Sequence, residues 1–217
     1  MNDTTGGSVW ERVERGSRGP QRAHTVSEIA ESAVAIADAE GLGGVSMRAL
    51  AAAIGASAPG LYRYLSRRSD LLDLMVDHVT AEIEWPPGDD GGDDEHESLI
   101  ELASAMRAVH QRHPWMREAL SAPRAFGPHS TRLIEAYLVR LSDVDAPTTH
   151  KMELFAVITA IAGLAFDGQR PTGDPFPLAG SQLTPSLVNA LDSEASSPRD
   201  PSRVFTLTVS GVIRSLL

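Results

Sequence analysis

Apolar residues recur three and four positions apart along most of this chain, the spacing that lines one face of an α-helix. Thr25-Val26-Ser27-Glu28 has the form of a capping box, so a first helix is expected to start there. Its inward face is Ile29, Ala33, Ile36 and Ala37, and Gly41 supplies the stop. Ser46 is placed to cap a second helix with apolar positions Met47, Leu50, Ala51 and Ile54, ending at Gly55. Ser57 can cap a third, very short helix. Pro59 falls in its first turn, and Leu61 and Leu65 face inward one turn apart. Ser69 opens a fourth helix, whose buried side is Leu71, Leu72, Met75, Val76 and Val79.

The second half reads the same way. Leu99, Leu102, Met106 and Val109 mark a helix stopped by Pro114, and a short one runs from Trp115 to Leu120. Leu133, Ile134, Tyr137, Leu138 and Leu141 mark another, closed by Pro147. The stretch from Leu154 to Phe166 is apolar all round, which predicts a central helix buried on most sides. Residues 167–202 turn irregular and proline-rich, with one further helix expected around 185–191. The tail fits both periods: Phe205, Leu207 and Val209 alternate like a strand, while Phe205, Val209, Val212 and Leu216 satisfy a helix face. With no strand for it to pair with, helix is the better reading, and the fold class is all-α.

Between the halves, Pro86-Pro87-Gly88-Asp89-Asp90-Gly91-Gly92-Asp93-Asp94-Glu95 can continue neither helix nor strand. It sets the expected organisation: a basic N-terminal arm over 1–24, a helical domain over 25–84, an acidic linker loop over 85–97 and a second helical domain over 98–217. Composition narrows the class. In 217 residues, 42% are hydrophobic and none is cysteine, so a sizeable core is expected and disulfides, thiol nucleophiles and thiolate metal sites are excluded. No signal peptide is visible. The longest uncharged apolar run, Leu154 to Phe166, is short of the roughly 20 residues that span a membrane. A cytoplasmic protein without a membrane partner is expected.

The net charge of −10 argues against a nucleic-acid partner until its distribution is considered. Residues 43–69 contain Arg48, Arg63, Arg67 and Arg68 and no acid, a small basic face on an acidic body. Phosphate sees that local face, because charges more than about 10 Å away are screened by salt. Two short helices joined at Gly55-Ala56-Ser57 make a helix-turn-helix candidate, although helical hairpins of purely structural role share the pattern. Leu61 and Leu65 would anchor the second helix, leaving Ala58, Pro59, Gly60, Tyr62, Arg63 and Tyr64 at its N-terminus and outer face, with Arg67 and Arg68 just past its end. Small residues at Ala58 and Gly60 let the backbone approach DNA, tyrosine hydroxyls and arginines meet phosphates, and the helix N-terminus at Ser46 can accept one.

Several segments then resemble one family: Ala35-Ile36-Ala37-Asp38-Ala39-Glu40-Gly41-Leu42, Val45-Ser46-Met47-Arg48-Ala49-Leu50-Ala51, Leu61-Tyr62-Arg63-Tyr64-Leu65 and Asp70-Leu71-Leu72. Over residues 25–80 the chain resembles the N-terminal domain of the tetracycline-repressor-like (TetR) family. The resemblance implies a homodimeric repressor whose three-helix N-terminal domain reads the major groove of operator DNA and whose helical C-terminal domain dimerises and binds an inducer. It also implies phosphate contacts for Ser46 and Tyr62, base or backbone contacts for Tyr64 and the turn Ser57-Ala58-Pro59-Gly60, and a phosphate-binding role for Arg67 or Arg68. Tyr64 departs from the family, which commonly has His there. Residues 1–24 extend beyond its minimal start, either as an arm able to enter the minor groove or as a tail without a role.

For the effector, the second domain offers Met106, His110, Trp115, Met116, Phe126, Tyr137, Phe155 and Thr159, bulk joined to a few polar handles. The 154–166 and 203–217 helices are the expected dimer interface, with Ala156, Ala160 and Gly163 allowing close approach. His110 and His113 lie three apart but lack a third metal ligand, and no catalytic triad, phosphate loop or metal motif is present. The expectation is therefore a ligand-responsive DNA-binding regulator, not an enzyme and without a cofactor. The alternative is a helical interaction module that lacks sequence-specific DNA binding.

Overall fold

The computed structural model describes residues 9–10, 24–62, 64–85, 95–164 and 201–216. Arg63, most of the N-terminal arm, the acidic stretch 86–94, the expected helix at 185–191 and Phe166 lie outside the described residues. The described residues form helices and no strand: α1 (Val26–Glu40), α2 (Met47–Ala53), α3 (Ala58–Leu61), α4 (Arg68–Thr80), α5 (Glu95–Arg112), α6 (Met116–Ala119), α7 (Pro128–Arg140), α8 (Thr148–Ala162) and α9 (Pro201–Leu216). None is long and apolar enough to cross a membrane.

Local chemistry sets the first boundaries. Thr25 Oγ1 accepts from Glu28 N at 3.1 Å while Thr25 N donates to Glu28 Oε2 at 2.7 Å, the reciprocal capping box. Gly41 ends α1 at φ 72°, a left-handed conformation that costs glycine no Cβ clash. Ser46 and Ser57 cap α2 and α3 by accepting from Ala49 N at 3.1 Å and Gly60 N at 3.2 Å. Gly55, at φ 67°, turns the chain between these two helices.

The third helix is shorter than expected. It is a single turn, with Tyr62 as its C-cap and Tyr64 and Leu65 beyond it. Pro59 and Gly60 fill half of that turn with the poorest helix formers, so nothing local sustains a second. The fourth helix starts one residue before Ser69, at Arg68. Asp70 draws in its N-terminus by accepting from Ser66 N at 2.8 Å and Arg67 N at 3.0 Å.

Two cores organise the molecule. The first joins α1 to α4 with Val109, Trp115, Met116 and Ala119 from the second half; the second joins α5, α7, α8 and α9. α4 packs on α1 on one side and on α6 and α7 on the other, so it belongs to both halves. That position explains why its polar face is not solvated: Asp70, Asp73 and Asp77 are buried alongside the apolar residues. Asp77 caps α7, accepting from His129 N at 3.2 Å and from Ser130 N and Oγ at 2.8 Å.

The tail is helical, as α9, and packs on α5 and α8. α8, expected to be buried on most sides, is not so within one chain. Leu154, Ile158, Ile161 and Ala162 face inward, but Ala156, Val157 and Ala160 are exposed. On α9, Val204 and Leu207 are exposed as well.

Candidate DNA-binding face and ligand cavity

The α2–α3 unit stands on a firm base: Leu50, Leu61 and Leu65 are fully buried in the first core. On its outside, Ser46, Arg48, Ser57 and Pro59 are exposed and Ala58 and Gly60 half-buried. Tyr62 is 59% exposed, an aromatic side chain held out from the C-terminus of α3. Arg67 is exposed at the N-cap of α4.

Two residues of the expected contact set sit elsewhere. Tyr64 is 7% exposed and belongs to the core, not to the outer face, because the chain leaves the helical spiral after α3 and rotates this ring inward. Arg68 carries an exposed stem, yet its guanidinium donates to Leu42 O at 2.7 Å and to Val45 O at 2.8 Å. It therefore fastens the α1–α2 loop to the start of α4, and its forked donors suit two carbonyls at once. Its role in the free protein is to hold the position of Ser46 and α2.

Behind α4 lies a cavity of about 90 Å³, lined from α4 by Asp73, Val76 and Thr80 and from the second half by Met106, His110, Met116, Phe126, Phe155 and Thr159 among others. Six of the eight expected pocket residues are thus brought together. Trp115 and Tyr137 are not among them. Trp115 turns toward the first half, donating from Nε1 to Asp38 Oδ1 at 2.7 Å. Tyr137 is fully buried and donates to Lys151 O at 2.6 Å, with Phe155 packed edge-on at 5.0 Å. Burial pushes its phenol well above the usual range. Both rings had a polar handle, and in both the handle is occupied within the protein.

The two histidines also part company. His110 faces the cavity. Burial, assisted by the positive charge of Arg117, pushes its imidazole down to about 4 from 6.5. His113 is buried between the halves, with Nδ1 2.8 Å from Asp38 Oδ1 and Nε2 3.2 Å from Glu82 Oε1. Arg112 donates to Glu82 as well, at 2.9 Å. Burial opposes ionisation of Glu82, but hydrogen bonds from Arg112 and His113 outweigh it and hold this carboxyl below its usual range. This junction of α1, the end of α4 and the end of α5 carries no signal in the sequence, because its members lie far apart along the chain. No group of three or more His, Cys, Asp or Glu suited to a metal occurs among the described residues.

Sequence also missed the acid–base pair in the cavity wall. Arg124 Nη1 lies 3.5 Å from Asp73 Oδ1 and Arg124 Nε donates to Ala119 O at 2.7 Å. Burial nonetheless pushes the Asp73 carboxyl up, against the pull of Arg124. At the N-terminal end, Val9 is buried in the first core and Trp10 Nε1 reaches Ala125 O at 3.4 Å. These two residues of the expected arm therefore lie on the body of the protein, next to the loop that carries Phe126.

Comparison with known proteins agrees with this geometry. Residues 29–75 match the model of the family described as bacterial regulatory proteins, tetR family. The chain is 39% identical over 131 residues to the HTH-type transcriptional repressor DrrR1 of Streptomyces coeruleorubidus, covering 60% of this chain and 48% of the relative. It is 33% identical over 124 residues to an HTH-type transcriptional regulator of Saccharopolyspora erythraea, covering 57% of this chain and 51% of that one. The chain thus spans about half the length of these curated relatives. Among solved structures, ActR of Streptomyces coelicolor in complex with (S)-DNPA superposes with a TM-score of 0.71 at 24% identity, over 92% of this chain and 98% of ActR. Apo ActR gives 0.72 at 23% identity, over 91% and 97%. At this identity the likeness establishes a shared fold that runs well past the matched domain. Residues 29–75 thus carry the N-terminal domain of the tetR family of bacterial regulatory proteins.

Proposed function

We propose that the chain is a homodimeric transcriptional repressor in the cytoplasm, released from double-stranded operator DNA by a small-molecule effector. The observation that carries this reading is the sharing of α4: one side supports the helix-turn-helix through α1, the other lines the cavity. The exposed set of Ser46, Arg48, Ser57, Ala58, Pro59, Gly60, Tyr62 and Arg67, with Arg63 beside them in sequence, supplies phosphate and groove contacts. Tyr64 and Arg68 support that face from behind. The exposed apolar strip of α8 and α9 fits a second copy of this chain, giving a four-helix interface and two reading heads.

At about 90 Å³ the cavity is smaller than the ~150 Å³ that admits a benzene ring. A ring-sized effector that enters fully must therefore widen the cavity, and α4 is one of the walls. Moving α4 moves α1 and the α2–α3 unit, so the two heads lose their match to successive major grooves. A 100-fold release requires about 2.7 kcal/mol of differential effector affinity between the two arrangements. ActR is solved with actinorhodin as well as with (S)-DNPA, which supports a small-molecule site in this fold.

The test is titration of the purified protein against its own upstream intergenic DNA and against random DNA, at two salt concentrations. Tight binding to the upstream DNA alone, weakened by salt and by Tyr62→Ala, is the expected result. Absence of binding to any genomic DNA favours the alternative, a helical interaction module.

A further inference from the structure

The lining of the cavity is specific enough to name an effector class, an inference that rests on the cavity being the effector site. His110 sets an imidazole into a wall otherwise formed by Met106, Val109, Ile134 and Phe155. Among the described residues no hydrogen bond reaches either of its ring nitrogens. The ring has room because Gly163 has no side chain; a Cβ there would lie 3.3 Å from His110 Cε1.

The other polar groups of the lining are already engaged. Thr159 Oγ1 donates to Phe155 O at 2.8 Å and Thr80 Oγ1 to Val76 O at 2.7 Å, so each hydroxyl has only acceptor lone pairs left. Ser130 donates to Asp77. Asp73 and Arg124 offset one another, and Arg117, behind His110, is exposed and donates to Gly163 O at 2.8 Å. His110 itself is neutral at physiological pH, so one of its nitrogens is a bare acceptor. Beyond the Arg124 guanidinium, whose charge Asp73 offsets, the cavity therefore offers acceptors and an apolar wall.

We propose that the effector is an uncharged aromatic molecule bearing a hydroxyl group, a phenol in the simplest case, whose O–H donates to the bare ring nitrogen of His110. Its rings lie among Met106, Ile134, Leu133 and Phe155. A carboxylate gives up its hydration at a site whose guanidinium, Arg124, is already held by Asp73 and Ala119 O. An ammonium ion finds acceptors but no net negative charge, because Asp73 is already matched.

The probes are 2-naphthol, naphthalene, 2-naphthoate and 2-naphthylmethylammonium, titrated calorimetrically at pH 7.5 into the full chain and into His110→Phe and His110→Gln. Folding of each variant is checked by its melting curve. In the wild-type chain 2-naphthol binds about three- to tenfold tighter than naphthalene, the increment of one neutral hydrogen bond, and both ions bind more weakly than naphthalene. His110→Phe abolishes the preference for 2-naphthol over naphthalene, whatever the affinity for naphthalene itself becomes, whereas His110→Gln, which retains an acceptor, keeps most of that preference. Tighter binding of either ion than of 2-naphthol, or a naphthol preference that survives His110→Phe, overturns the phenol assignment while leaving the cavity as a binding site. Failure of the wild-type chain to bind any probe, naphthalene included, counts against the cavity itself and so against the effector reading beneath the proposal.

Discussion

The two tyrosines flanking residue 63 should separate DNA binding from folding. Tyr62 is 59% exposed and contributes little to the core, so Tyr62→Ala is expected to change stability by no more than about 0.5 kcal/mol. A tyrosine hydroxyl on a phosphate is worth about 1.5–3 kcal/mol, the range for a hydrogen bond to a charged group. In a dimer the contact is made twice, so the loss is about 3–6 kcal/mol, or roughly a 150- to 25,000-fold weaker Kd at fixed salt. Tyr64 is 7% exposed and packs with the first core. Truncating a buried aromatic to alanine costs about 3–5 kcal/mol. At roughly 2–4 °C per kcal/mol for a chain of this size, Tyr64→Ala should melt about 6–20 °C lower. At a temperature where it is folded, it should retain more of its DNA affinity than Tyr62→Ala. Operator binding by fluorescence anisotropy and a thermal melt of each variant make the comparison. A depressed melt for Tyr62→Ala with an undisturbed one for Tyr64→Ala would refute the assignment of the two rings.

Three further outcomes follow from particular contacts. Arg68→Ala leaves Leu42 O and Val45 O without their guanidinium donor, and is expected to cost about 2 kcal/mol in denaturant unfolding; Arg68→Lys, unable to span both carbonyls, recovers less than half. His110 titrates near 6.5 when unfolded and at about 4 when folded, so as pH falls through this window the unfolded chain takes up a proton that the folded chain refuses. Stability is lost with acidification, by about 2 kcal/mol at pH 5, and the pH dependence of unfolding should flatten by that amount in His110→Phe. Gly127 is hemmed in by the Asp77 carboxyl and the Trp10 ring, with no space for a Cβ. Gly127→Ala must displace the Asp77 cap of α7 and is expected to cost at least about 2 kcal/mol, read as a lower melting temperature.

What the residues by themselves determined is local. The caps at Thr25, Ser46 and Ser57, the glycine turns at Gly41 and Gly55 and the inward faces of α1 and α5 depend on neighbours within one or two turns, so spacing alone makes them legible. The helical tail followed from the absence of any strand to pair with it. The exposed Tyr62 and the basic run around it were legible for the same reason, together with the family pattern they carry.

Tertiary structure decided everything that depends on which surface meets which. Asp73 and Asp77 lie on what spacing marks as a solvent face, but α4 is enclosed by both halves, and Arg124 and the α7 N-terminus make that burial tolerable. Trp115, Tyr137 and Tyr64 have the composition of binding residues; Asp38, Lys151 and the first core claim them through contacts remote in sequence. His110 and His113 are three positions apart on the chain, yet one lines the cavity and the other joins Asp38 to Glu82. Spacing records how residues repeat around a helix axis. Which side of that axis is filled by another helix, by DNA or by a ligand depends on long-range packing, and that is set only when the chain folds on itself.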